Sequence, residues 1–167
     1  MESRFKILGH PAHQILIVFP LGLLVTAVIF DGIARFGGPE RFAEMAYWMI
    51  AAGLIGGALA AIPGWVDWFA IPRGTRANRV GLVHGLGNMV LLGLFAASWY
   101  LRRDDPLHPP DTASLLSLAG LLLGVVTAWL GGELVDRLGV GVDPGAHLNA
   151  PSSLSGRPAG DRRPTAP

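Results

Sequence analysis

Four long apolar blocks, at about residues 13–34, 42–62, 80–101 and 113–130, constrain this chain more than any other feature. A helix needs about 20 mostly apolar residues to cross roughly 30 Å of hydrocarbon, and each block reaches or approaches that length. In lipid the backbone must satisfy its own hydrogen bonds, so such blocks become helices. Of the 167 residues, 51% are hydrophobic and 15% charged, against about a quarter charged in a typical soluble domain. The expected fold is therefore all-α. It is a polytopic membrane protein with four transmembrane helices in an antiparallel bundle over residues 1–142. The tail 143–167, made largely of Pro, Gly, Ser, Ala and Arg, buries too little apolar surface to fold and is expected to be disordered.

Composition also removes function classes. The chain has no cysteine, which excludes disulfides, thiolate metal sites, iron–sulfur ligation and covalent haem attachment. A net charge of +1 gives no footing for a nucleic-acid partner. The first block lacks a small-x-small cleavage site after it and is longer than a signal-peptide core, so it reads as a retained anchor.

Local signals set the expected boundaries. Pro20 should kink the first helix because it removes a backbone donor. Pro63-Gly64 should end the second, leaving Trp65-Val66-Asp67-Trp68 beyond it. Asp31 has Arg35 four residues on as its simplest partner, and Arg102-Arg103-Asp104-Asp105 reads as loop. Every Trp and Tyr lies near a block end, where amphipathic rings meet headgroups. Four crossings put both termini on one side, with Arg4, Lys6, Arg73, Arg76, Arg79, Arg137 and the tail arginines. Arg35, Arg41, Arg102 and Arg103 fall on the other. The positive-inside rule makes the termini cytoplasmic. Gly53-x-x-x-Gly57, Gly81-x-x-x-Gly85 and Gly120-x-x-x-Gly124 offer small faces for close helix packing.

The same topology gathers polar residues at the terminal side. His10 and His13 open the first helix, Asp67 follows the second, His84 and Asn88 open the third, and Glu133 follows the fourth. Ionisable groups at membrane depth usually face a partner, an ion or a cofactor. A faint duplication accompanies them. Each half opens on Gly and His and closes on Gly and an acid, as two parallel hairpins about a pseudo-twofold axis would. Bland readings stand beside these. His10 can cap a helix with Pro11 at its first position, Asn88 can tie helices together, and Asp67 and Glu133 can be solvated. His108 and His147 read as bystanders.

Gly9-His10-Pro11-Ala12-His13 with Phe19-Pro20-Leu21-Gly22, Pro63-Gly64-Trp65-Val66-Asp67-Trp68, His84-Gly85, and Gly131-Gly132-Glu133-Leu134-Val135 with Gly139-Val140-Gly141-Val142 occur in this order. Together they resemble a bacterial membrane-protein family catalogued as domain of unknown function 2231, over about residues 5–142. The resemblance implies a four-helix inner-membrane protein and supplies no activity. Such domains are sometimes joined to Rieske or cytochrome domains, which associates them with electron transfer. Asp136 departs from the family, which tends to carry Tyr there.

Three readings remain open. In the first, His13 and His84 hold haem b in a redox module served by a quinol or a redox protein. In the second, His10, His13, Asp67, His84 and Glu133 bind a divalent metal ion. In the third, the chain is a non-catalytic scaffold in the bilayer, alone or as a homo-oligomer. None makes the chain an enzyme by itself.

Overall fold

The computed structural model describes residues 1–162; the last five positions of the expected tail, 163–167, lie outside the described residues. Two short strands, β1 (Lys6–Ile7) and β2 (His10–Pro11), form a small antiparallel hairpin. Five helices follow: α1 (Ala12–Leu16), α2 (Val18–Arg35), α3 (Arg41–Ala70), α4 (Arg76–Arg102) and α5 (Asp111–Gly132). A π-helical turn, Glu133–Arg137, extends α5, and a short 3-10 turn at Ser153–Ser155 lies further on. Among the described residues every regular element but the hairpin is helical. Four stretches of the described residues are long and apolar enough to cross a membrane: Ala12–Arg35, Arg41–Ala70, Arg76–Arg102 and Asp111–Arg137.

Proline explains the first irregularity. Pro20 cannot donate to the carbonyl of Leu16, and its ring crowds that carbonyl. One backbone bond is accordingly missing where α1 meets α2 at Ile17, while the Ile17 N–H still donates to the His13 carbonyl and the Leu21 N–H to that of Ile17, at 3.1 Å each. Pro63 behaves differently from expectation. It lies buried inside α3, and the helix runs on to Ala70, so Trp65, Asp67 and Trp68 are helical. Membrane helices absorb a proline when neighbours repack around the freed carbonyl. The second crossing is thus 30 residues long rather than ending at 62. At the start of α4 the Thr75 side chain accepts from the Asn78 backbone N–H, a conventional N-cap.

The helices pack as two hairpins, α1/α2 with α3 and α4 with α5, joined mainly through α3 and α4. The core between them is small: Leu24, Ala27, Ala46, Ile50 and Phe95. Glycines set the approach. A Cβ on Gly53 would fall 2.6 Å from a Leu24 methyl, on Gly57 2.6 Å from a Leu92 methyl, and on Gly120 2.8 Å from the Phe95 ring. Gly81 and Gly85 likewise meet Trp68 and Trp65 of α3, at 2.8 and 3.3 Å, so all three small-residue pairs receive side chains of a neighbouring helix, as a bundle held by van der Waals contact requires. Most large apolar side chains point outward, which suits a lipid surround.

Asp31 corrects the sequence reading. Its partner is Arg102, not Arg35. The side chain of Arg102 is wholly buried, and its two Nη atoms each donate at 2.5 Å to one oxygen of Asp31. Nε donates to Ser98 Oγ at 3.2 Å, and Ser117 lies beside the same guanidinium. A buried carboxylate needs a planar, bidentate partner whose remaining donors are also satisfied. A flexible i+4 arginine at the surface cannot supply that. Arg35 instead pairs with Asp111 at the start of α5. Arg102 thus belongs to the bundle interior and not to the loop.

Candidate functional site

At the opposite end of the bundle His13 on α1 and His84 on α4 face each other. Their ring centres are 6.2 Å apart and their planes nearly perpendicular, at 87°. Each ring is tied to the second helix of its own hairpin. His13 Nδ1 lies 2.8 Å from the carbonyl oxygen of Ala60 on α3, and His84 Nδ1 lies 2.8 Å from that of Thr127 on α5. A carbonyl only accepts, so in both rings Nδ1 carries the proton. In the neutral ring Nε2 then keeps the lone pair.

Each ring also lies over a glycine one helical turn beyond that carbonyl. A Cβ on Gly64 would sit 2.9 Å from His13 Nδ1, and one on Gly131 would sit 3.2 Å from His84 Cε1. The correspondence carries the faint repeat in the sequence into geometry. In both hairpins a histidine near the start of the first helix bonds a carbonyl of the second and rests on the following glycine. The two rings meet where the hairpins meet.

The halves are not identical. Asn88, one turn beyond His84, donates to His84 Nε2 at 3.2 Å and to the His84 carbonyl at 3.0 Å. Its own carbonyl accepts from the Thr127 hydroxyl at 3.0 Å. His13 has no counterpart of this pair; its Nδ1 bond to Ala60 is its one hydrogen bond among the described residues.

The other residues expected at this end have separate partners. Asp67 accepts from the Ser3 hydroxyl at 2.7 Å and from the Arg4 backbone N–H at 2.6 Å, so it anchors the N-terminal segment over the end of α3. Glu133 pairs with Arg76 at 2.7 Å across the mouth between α4 and α5. His10 lies in β2, with Nε2 3.3 Å from Ser153 Oγ. No three His, Asp or Glu residues come together to hold a metal ion among the described residues. The five-residue set gathered by topology thus resolves into one facing pair and three residues committed elsewhere. A shared membrane surface is wide, and a carboxylate there bonds the nearest donor.

The segment after the π-helical turn lies against the N-terminal hairpin. The Met1 ammonium donates to the Gly139 carbonyl at 2.6 Å, Lys6 pairs with Asp143, and Ser153 donates to the Leu8 carbonyl at 3.1 Å. The Asp143 carboxylate beside Lys6 raises its pKa. His108, at the far end, lies between Asp105 (3.1 Å) and Glu40 (3.4 Å). Asp105 first, then Glu40, raises the pKa of His108, and the imidazole lowers that of Asp105.

Sequence reasoning found both histidines and Asn88. It missed Thr127 and Ala60, and named Gly64 and Gly131 only as motif positions. Two of those contacts are backbone carbonyls, which leave no mark on side-chain identity. The recurrence of a small residue one turn after each carbonyl was the available signal.

A family model described as "Predicted membrane protein (DUF2231)" matches residues 9–144. No curated protein and no solved structure matches the chain.

Proposed function

The chain belongs to the DUF2231 family of predicted membrane proteins, and from that premise we propose that it is a small electron-transfer module whose His13 and His84 are the axial ligands of one b-type haem. The observation that carries this reading is the facing pair with both Nδ1–H groups bonded to backbone carbonyls. Metal-bound histidines characteristically donate their second ring N–H to a carbonyl or carboxylate, which fixes the tautomer and raises the basicity of the ligating nitrogen.

The donor set selects the cofactor class. Two imidazoles are too few to hold a bare divalent ion, which takes four or more ligands. The acids that could complete such a set are held by Ser3, Arg4 and Arg76. A porphyrin brings four nitrogens of its own, and its iron then takes two axial side chains. Imidazole nitrogens bind first-row metals at about 2.0–2.1 Å, so two rings on opposite sides of one ion have centres roughly 6 Å apart. The observed 6.2 Å is of that order, and to hold the iron His84 would have to release the Asn88 amide from its Nε2. The haem, when bound, supplies reversible one-electron chemistry at iron. The protein's part is to hold two imidazoles at one membrane end, with Trp65 packed beside Gly85 next to His84. Most basic residues outside the crossings lie at this end, and Arg102 is removed from the opposite loop by its burial. In this reading the site lies at the cytoplasmic side of a bacterial inner membrane, an orientation the positive-inside rule supports, with a quinol or a redox protein as donor or acceptor.

Absorption spectra of the purified protein, oxidised and dithionite-reduced, test the proposal. The expected result is a Soret band that sharpens on reduction, lost in His84→Ala and retained in His108→Ala and His147→Ala. A colourless protein that also fails to take up added haemin would overturn it.

A further inference from the structure

We infer that Asn88 and Thr127 decide how the histidine pair is used: they close a hydrogen-bonded ring around His84 that keeps its Nε2 engaged, and they leave the Nε2 of His13 as the nitrogen of the pair open to an incoming electrophile or metal centre. The consequence for iron rests on the haem reading; the ring around His84 does not.

The ring can be traced bond by bond. His84 Nδ1 lies 2.8 Å from the Thr127 carbonyl, which only accepts, so Nδ1 donates and Nε2 is left to accept. Asn88 Nδ2 lies 3.2 Å from that Nε2 and 3.0 Å from the His84 carbonyl. Both are acceptors, which fixes the amide with its nitrogen toward His84 and its oxygen toward the Thr127 hydroxyl, 3.0 Å away. The main chain and the side chain of Thr127 thus hold one imidazole, the first directly and the second through Asn88. Thr127 is only 3% exposed, and its hydroxyl also lies 3.1 Å from the Gly124 carbonyl, so the ring is anchored in α5. Fully satisfied networks of this kind rigidify the groups they hold.

The first hairpin lacks this ring at two matched positions. Asn88 lies four residues after His84, and four residues after His13 stands Ile17. Thr127 gives its carbonyl to His84, and the residue that gives its carbonyl to His13 is Ala60. The helical frame is retained, since the Ile17 N–H donates to the His13 carbonyl at 3.1 Å. Isoleucine and alanine offer neither an amide nor a hydroxyl, so His13 Nε2 has no hydrogen bond among the described residues. Gly64 and Gly131 correspond beneath the two rings, so the halves agree there and differ in the two residues that would engage Nε2. Both histidines are half-buried, so access alone does not separate them. In the haem reading Asn88 then sets the affinity of the second axial position, because its amide and a metal compete for one lone pair.

Diethyl pyrocarbonate reads the difference without haem, since it transfers an ethoxycarbonyl group to an imidazole nitrogen whose lone pair is available. In the full chain in mild detergent, with each histidine followed by peptide mass, His84 should react about fivefold more slowly than His13, the factor that one net hydrogen bond is worth. Asn88→Leu replaces the amide by an apolar side chain of similar size and should bring His84 to the rate of His13. Thr127→Val should raise it part of the way. The rates of His10 and His108 should stay as they are, which reports an intact fold. Equal rates in the unaltered chain, both fast or both slow, or no response of His84 to Asn88→Leu, would overturn the inference. In a haemin titration Asn88→Leu should bind about fivefold more tightly, whereas removal of a merely structural residue would weaken uptake. Unchanged or weaker uptake by Asn88→Leu would reject Asn88 as the residue that sets iron affinity. Slow modification of His84 in a protein that takes up no haemin would remove the proposed function and leave the ring standing.

Discussion

At one end of the bundle a carboxylate and a guanidinium are buried against each other; at the other, two imidazoles meet with a nitrogen lone pair to spare. Both ends bring polar groups from α4 and its neighbours into an apolar bundle, and both satisfy the backbone. They differ in what remains. Asp31 and Arg102 consume each other's bonding capacity, with Ser98 and Ser117 taking the rest. His13 and His84 each bond one nitrogen to a carbonyl; the other nitrogen of His84 accepts from Asn88, and that of His13 has no hydrogen bond among the described residues. The two ends therefore differ in how completely their polar groups are satisfied.

The largest expected effect breaks the closed end. Arg102→Ala leaves a buried, unpaired carboxylate and should cost about 3–5 kcal/mol, measured by unfolding in detergent. Asp31→Leu with Arg102→Met should restore most of that loss, because two apolar side chains leave no orphaned charge. A double variant as unstable as the single one would make the pair more than a tie between α2 and α4.

The next effect lies at the open end. Gly64→Val places side-chain atoms where His13 now rests, and overpacking of this kind costs about 1–3 kcal/mol. It should also displace the His13 imidazole, seen as a shifted 15N resonance, with His84 less affected. Gly131→Val should do the converse. Equal disturbance of both rings by either variant would erase the two-hairpin correspondence.

The smallest effect is a pH dependence outside the membrane. His108 bridges Asp105 and Glu40, so both ring nitrogens face acceptors and the bridge needs the imidazolium. The folded-state pKa of His108 is raised, so its stabilisation is present below the ordinary histidine range and is lost as pH rises through the raised value. The pKa of Asp105 is lowered, so its share persists above the ordinary carboxylate range and is lost as pH falls through the lowered value. The loop clamp should be firmest between these limits. An NMR titration of His108 should show an upward-displaced midpoint that Asp105→Asn reduces more than Glu40→Gln. All three groups are exposed, so salt should weaken the effect.

Much of this was legible before any coordinates. Block length and hydropathy identified four crossings, and the small-residue spacing identified faces that close packing then used. Pro20 forecast a discontinuity that falls at Ile17. Pro63 failed as a stop signal because in a bundle the freed carbonyl is tolerated. The pairing of Asp31 was misread for a related reason: sequence proximity favours Arg35, whereas burial favours the arginine whose geometry satisfies every donor.

What the sequence alone determined is the membrane architecture, because hydrocarbon enforces helices and helix length is counted in residues. It also placed His13 and His84 at one membrane end, because antiparallel crossings fix which ends coincide. Only the tertiary structure separated that pair from Asp67, Glu133 and His10, and only it joined Asp31 to Arg102. Hydrogen bonds act over about 3 Å, and a crossing pattern locates a residue only to within a helix end. Which donors and acceptors meet inside that radius depends on helix rotation and packing, set by the glycines and the side chains that fill them.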